Sequence, residues 1–198
     1  MISAILLAAG ESKRMGITKQ ILKFGKNTIL EYTINNLVNS KIDEIILVLG
    51  YKAKEIKKQV STDYDNLIIT VNSDFRNGMS SSIKQGIRSI NPEAKAALIV
   101  LGDQPLISSE IINLVIDSYN EKDVGIVAPI FKGIIGHPVC FNLDKYRDRL
   151  LGLSGDKGAK EIVDANKNDF LGLKVSSDKI LVDIDDEENY LKALKRIS

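Results

Sequence analysis

The chain has 198 residues, 44% of them hydrophobic and 27% charged, with 14 Gly, 4 Pro and a formal net charge of +1. This length and mix suit one globular domain that buries roughly 70% of its unfolded surface, and they exclude the disordered, collagen-like and disulfide-scaffold classes. A near-neutral charge and few aromatics leave neither a field nor a stacking platform for nucleic acid, and the lone Cys140 excludes an internal disulfide and a cysteine-based metal cluster.

In chain order, the apolar run 2–9 lacks a basic leader and is too short to span a bilayer, so it reads as a core strand of a cytoplasmic chain without membrane contact. Strand-length apolar runs lie at 4–8, 45–49, 67–71, 97–101, 124–128, 139–141 and 180–184. Most are continuous rather than alternating, as strands covered on both faces are. Between them come stripes of helical period: Ile29, Leu30, Thr33, Ile34, Leu37 and Val38; Ile83, Ile87 and Ile90; Ile111, Ile112, Val115, Ile116 and Tyr119; residues 159–165; and Tyr190, Leu191, Leu194 and Ile197. The alternation predicts a single α/β domain over 1–198, a Rossmann-like sandwich with a mostly parallel sheet and helices on both faces. In such a sheet ligands bind at the carboxyl ends of the strands.

The loop after the first strand, "LAAGESKRMGITK" at 7–19, has neither the glycine series of a dinucleotide fingerprint nor the spacing of a P-loop, since five residues separate Gly10 from Gly16 and Ile17-Thr18 follows. It still suits phosphate. Ala8, Ala9 and Gly10 let backbone N–H groups approach a ligand, while the loop cations Lys13, Arg14 and Lys19 raise the question of what they neutralise. Of these, Arg14 offers bidentate contact and Lys19 a point charge. Loop cations are most often simply solvated; their place after the first strand favours a ligand.

Asp103 follows an apolar strand and precedes Gln104-Pro105, which leaves a carboxylate at the sheet's carboxyl edge, a position that suits Mg²⁺. Asp183 and Asp185 alternate onto one face at the end of the run 180–184. Ser80, Ser81 and Ser82 precede the Ile83 stripe, either capping that helix or presenting hydroxyls to a ligand. His137, the single histidine, has no partner at telling spacing and reads as a structural or substrate-shaping residue beside Pro138 rather than a base. "GDKGAK" at 155–160 is equally a loop into a helix or part of a site.

Taken together, "LLAAGESKRMGITK" (6–19), "GMSSSIKQG" (78–86), "LGDQP" (101–105), "GHPVCF" (136–141), "GDKGAK" (155–160) and "DIDD" (183–186) cover nearly the whole chain. In this order they resemble the MobA-like NTP transferases, the nucleotidyltransferases related to molybdenum cofactor cytidylyltransferase. The resemblance implies the nucleotide-diphospho-sugar transferase type of fold. It implies a nucleotide held by Leu7, Ala8, Ala9, Gly10, Met79, Ser80, Ser81 and Ser82, and catalysis by Arg14 and Lys19 on the triphosphate. It further implies Mg²⁺ on Asp103 and Asp185, and an acceptor near Gly136, His137, Pro138 and Asp156.

The implied reaction moves CMP from CTP to the terminal phosphate of molybdopterin with release of pyrophosphate, and implies transient contact with a molybdenum hydroxylase. Guanylyl transfer, another phosphorylated acceptor such as a sugar phosphate, and a non-catalytic nucleotide-binding regulator are the alternatives; the missing glycine series disfavours a nicotinamide oxidoreductase. The chain departs from the family in reading Asp186-Glu187-Glu188-Asn189 where Thr-Pro-Glu-Asp is usual, an exchange that keeps acidic residues suited to a helix N-terminus.

Overall fold

A computed structural model describes residues 1–12, 14–156 and 158–197, so Lys13 lies outside the described residues. The elements are β1 (Ile2–Ala8), a hairpin of β2 (Lys23–Phe24) and β3 (Asn27–Thr28), α1 (Ile29–Val38), β4 (Glu44–Leu49), α2 (Ala53–Gln59), β5 (Leu67–Val71), α3 (Met79–Ser89), β6 (Ala96–Leu101) and α4 (Ser109–Glu121). They continue with β7 (Ile126–Phe131), β8 (Ile134–Ile135), β9 (Val139–Asn142), α5 (Leu143–Leu151), α6 (Lys160–Ala165), β10 (Phe170–Lys174) and α7 (Glu187–Leu194).

The main sheet runs β10-β7-β9-β6-β1-β4-β5, with β8 paired to β7. Its pairs are parallel except those of β9 with β6 and β7 and of β8 with β7. Side chains alternate across β1: Ala4, Leu6 and Ala8 join Leu30, Ile34, Ile56, Ile112 and Val115 of α1, α2 and α4, whereas Ile5 joins Ile83, Ile87, Leu150 and Ile162 of α3, α5 and α6. Helices therefore cover both faces, which is why the central strands are continuously apolar. Cys140 is a core residue whose thiol burial pushes well above its ordinary pKa. No helix among the described residues is long and apolar enough to cross a membrane.

The order differs from the sequence expectation at the run 180–184, at β10 and at two helices, besides the short β2–β3 hairpin and β8. The run 180–184 is not a strand: Asp178–Leu181 forms a 3-10 turn that packs against β7, and the chain then runs extended, with Ile180 and Ile184 fully buried. The edge position belongs instead to β10, whose half-buried residues and central Gly172 give no strong apolar run. Two helices carry weak apolar stripes, α2 with Ile56 as its one buried residue and α5 with Leu143, Tyr146 and Leu150 among charges.

A third cluster joins Phe24, Ile29, Leu106, Ile184 and Ala193, and so ties α7 and the segment before it to the β2–β3 hairpin and the loop after β6. Asp186 caps α7 by accepting a hydrogen bond from Asn189 N at 2.8 Å, so the acidic departure from the family pattern is a working helix start. This packing brings residues 183–185, distant in sequence, to the carboxyl edge of β1 and β6.

Candidate active site

β1 ends at Ala8, and the chain then bends across the carboxyl edge of the sheet. Gln20, 4% exposed on the 3-10 turn Lys19–Ile21, donates from Nε2 to Gly10 O at 3.1 Å and Ala8 O at 3.3 Å. Tyr51 N donates to Ala9 O at 3.1 Å. The carbonyls of the small-residue loop are thus held from both sides. Gly50 permits the approach, because a Cβ there would lie 2.8 Å from the Ala9 Cβ. The loop walls a cleft of about 510 Å³, within the range of roughly 300–1,000 Å³ typical of small-molecule sites. Leu7, Ala8, Ala9, Gly10, Arg14, Lys19, Met79, Ser82, Asp103, Asp156 and Asp185 of the predicted set all line it.

The charged side chains meet at one end of this cleft. Lys19 donates from Nζ to Asp103 Oδ2 at 2.7 Å and to Asp185 Oδ1 at 2.9 Å, while Arg14 Nη2 reaches Asp185 Oδ2 at 2.8 Å. The Arg14 side chain is 72% exposed but that of Lys19 only 12%, so the two cations are not equivalent. Burial by itself pulls the Lys19 ammonium's pKa down, yet Asp103 and then Asp185 outweigh it and hold the pKa above the ordinary 10.5. Burial works against Asp185 as well, but the hydrogen bond and charge of Lys19, then Arg14, bring its carboxyl below the usual range. Asp103 is anchored by its backbone, since its carbonyl accepts from Ile184 N at 3.0 Å.

Asp183 belongs to the same charge cluster but turns to Gln104, whose Nε2 donates to its Oδ1 at 2.6 Å. Burial and then the Asp103 charge raise its pKa. Gln104 is 3% exposed and its Oε1 is left without a partner.

The serine run is split by α3. The helix starts at Gly78, φ 89°, with no side-chain cap, so none of the three hydroxyls caps it. Instead Asp156 Oδ1 accepts from Met79 N at 3.1 Å and Gly155 O from Ser80 N at 3.1 Å. Gly78 is required there, since a Cβ would stand 2.5 Å from Asp156 Oδ1. Ser82 faces the main cleft, whereas Ser80 and Ser81 line a separate cavity of about 350 Å³ on the other side of the helix start. Asn72 Nδ2 donates to Ser81 Oγ at 2.8 Å and Ser82 Oγ at 3.0 Å. Sequence reasoning missed Gln20, and also Phe75 and Arg76 at the cleft wall, where Arg76 Nε donates to Glu11 Oε1 at 3.2 Å. No spacing rule marks any of these; only the fold brings them in.

Gly136, His137 and Pro138 do not line the cleft. Gly136 packs where a Cβ would fall 2.6 Å from Ile180 O, and His137 N donates to the same carbonyl at 3.4 Å. Burial pushes the His137 pKa down to about 4, with the Asp103 charge opposing it. The folded protein thus holds this imidazole neutral. Below the ordinary value of 6.5 the unfolded chain takes up the proton first, so stability falls as pH drops from 6.5 through about 4. His137→Asn is expected to flatten the dependence of Tm on pH across that window; thermal melts with an unchanged slope refute this assignment.

A mostly parallel α/β sheet, a small-residue loop at its carboxyl edge, and paired carboxylates with cations in the same cleft define a class of enzyme that handles phosphorylated nucleotides. Residues 4–170 match the MobA-like NTP transferase domain. The chain is 26% identical over 195 residues to the Escherichia coli K12 molybdenum cofactor cytidylyltransferase, covering 98% of this chain and 96% of that protein. It is 27% identical over 165 residues to the bifunctional protein GlmU of Acetivibrio thermocellus, of which it spans only 33%. The crystal structure of Rv0371c from Mycobacterium tuberculosis H37Rv superposes with a TM-score of 0.86 at 26% identity, over 98% of this chain and 97% of that one. The chain belongs to the MobA-like NTP transferase family, and its activity class is nucleotidyl transfer.

Proposed function

We propose that the protein transfers CMP from CTP to the terminal phosphate of molybdopterin, with Mg²⁺ held by Asp103 and Asp185. The observation that carries the metal-dependent reading is the Lys19 ammonium, which touches both carboxylates at 2.7 and 2.9 Å. A single small cation thus fits against both. The donors are hard oxygens, and no cluster of three or more His, Cys, Asp or Glu suited to a metal occurs among the described residues. Two carboxylates with the remaining positions left to substrate oxygens and water is the usual Mg²⁺ arrangement in phosphoryl chemistry. When bound, the metal supplies positive charge to the phosphate oxygens.

The protein's own residues align and neutralise. Ala8, Ala9 and Gly10 present backbone to the nucleotide, and Arg14 and Lys19 balance the charge of the triphosphate. A terminal phosphate oxygen of the acceptor attacks the α-phosphorus; the new P–O bond forms as the α–β bridging bond breaks, and pyrophosphate leaves with that bridging oxygen. The acceptor phosphate is already anionic near neutral pH, with a second pKa of about 6, so no general base is needed and His137 is not assigned one. Catalysis is then alignment and electrostatic stabilisation.

Support for cytidine comes from likeness to the E. coli enzyme over the full chain and from Leu7-Ala8-Ala9-Gly10, since relatives that transfer guanylate tend to read Leu-Ala-Gly-Gly. On this reading the Ala9 methyl, which packs against Gly50 beside the cleft, stiffens the loop and leaves less room for a fused-ring base than glycine would. A methyl-sized difference is worth about 1–3 kcal/mol, so CTP is expected to be used at least about tenfold more efficiently than GTP, and Ala9→Gly to narrow the gap without reversing it. The test crosses the four ribonucleoside triphosphates with molybdopterin and a set of phosphorylated acceptors and measures pyrophosphate. Preferential guanylate transfer, or turnover confined to another acceptor, overturns the corresponding half of the assignment.

A further inference from the structure

Lys19 does more in this arrangement than wait for a triphosphate. Its ammonium stands between Asp103 and Asp185, and Arg14 takes the second oxygen of Asp185, so three of the four carboxylate oxygens already accept hydrogen bonds from side-chain cations. A divalent ion directed at the same pair meets a cation of like charge in the space it needs. Two partly buried carboxylates facing each other without any cation would also repel, so the ammonium keeps the pair together.

Resting on the reading of this cleft as a metal-dependent nucleotidyl-transfer site, we propose that Lys19 is the resident cation of the Asp103–Asp185 pair, and that a nucleoside triphosphate admits the divalent metal by drawing Lys19 and Arg14 onto its phosphates. Metal binding is therefore conditional on the nucleotide. The parts suit the exchange. The flexible four-carbon stem of Lys19 starts from a turn fixed by the loop contacts of Gln20, so the ammonium swings while the backbone stays. Arg14, being largely exposed, loses little on leaving Asp185. Triphosphate oxygens replace the carboxylates as acceptors for both cations. By linkage, the factor by which nucleotide tightens metal is the factor by which metal tightens nucleotide.

The experiment is a binding titration without turnover. Mn²⁺ is the probe, read as loss of the free-ion electron paramagnetic resonance signal, with the parent protein alone, with a saturating CTP analogue carrying a methylene between the α- and β-phosphorus, and with Lys19→Gln alone. Expected are weak Mn²⁺ binding to the parent, tightening by at least about tenfold with the analogue beyond the analogue's own affinity for Mn²⁺, and a comparable tightening in Lys19→Gln without nucleotide. Equal Mn²⁺ affinity of parent and Lys19→Gln in the absence of nucleotide overturns the resident-cation proposal. If Lys19→Gln does not fold, the parent titrations decide alone: an analogue that tightens Mn²⁺ binding by at least about tenfold beyond its own affinity for the ion supports the proposal, and an analogue that adds nothing beyond that affinity overturns it. A different result strikes the underlying reading: if Asp103→Asn leaves Mn²⁺ binding to the analogue complex unchanged, the pair is not the metal site.

Discussion

Lys19→Ala and Arg14→Ala are each expected to lower turnover by about 10²-fold or more, as loss of a charge contact made in the transition state does. The two separate in their stability. The fold does not depend on Arg14, whose side chain is 72% exposed, and its removal should leave the thermal midpoint within the scatter of ordinary surface substitutions. Lys19 is different because its side chain is 12% exposed and spans two carboxylates. Removing it leaves Asp103 without its cation and Asp185 with Arg14 alone; after allowance for solvent reaching both, the cost is about 1–2 kcal/mol. Steady-state kinetics at saturating substrate, paired with thermal denaturation, reads both effects. Full activity in both variants would remove these cations from catalysis and leave Lys19 as a structural counter-ion of the two carboxylates.

The second large effect is expected at the carboxylates. Asp103→Asn should weaken the dependence of activity on Mg²⁺ more than Asp185→Asn does, shifting half-saturation upward by about tenfold or more. Asp103 follows a buried strand and its carbonyl is tied to Ile184 N, so its carboxylate is held with little freedom. Asp185 sits on an irregular segment and shares its charge between Lys19 and Arg14. Mg²⁺ titrations of initial rate for the parent and both variants decide the order. Equal parent activity with and without Mg²⁺ after chelation removes the metal from the mechanism altogether.

The position of the site was readable because its main determinants are local. A continuous apolar strand followed by small residues and cations, and an aspartate directly after another such strand, place backbone and charge at a carboxyl edge whatever the rest of the chain does. Helices with strong stripes, α1 and α4 among them, were legible for the same reason: burial on one face imposes its period on the sequence. The weakly amphipathic α2 and α5 were not, nor was β10, where tertiary pairing with β7 overrides a poor local pattern.

The α/β alternation, the first loop and the carboxylate inventory are thus legible in the residues alone, being set by burial period and by residue type at strand ends. How these meet depends on the packing of elements far apart in the chain. Packing of Ile184 and Ala193 against Phe24 and Leu106 carries Asp185 to Lys19, across 166 residues of sequence. The turn of α3 sends Ser82 into the cleft and Ser80 and Ser81 away from it. Gln20 becomes the clamp of the loop because the chain folds back beneath Ala8 and Gly10. Such contacts depend on where separate elements come to rest against one another, and no periodicity or spacing along the chain encodes that distance.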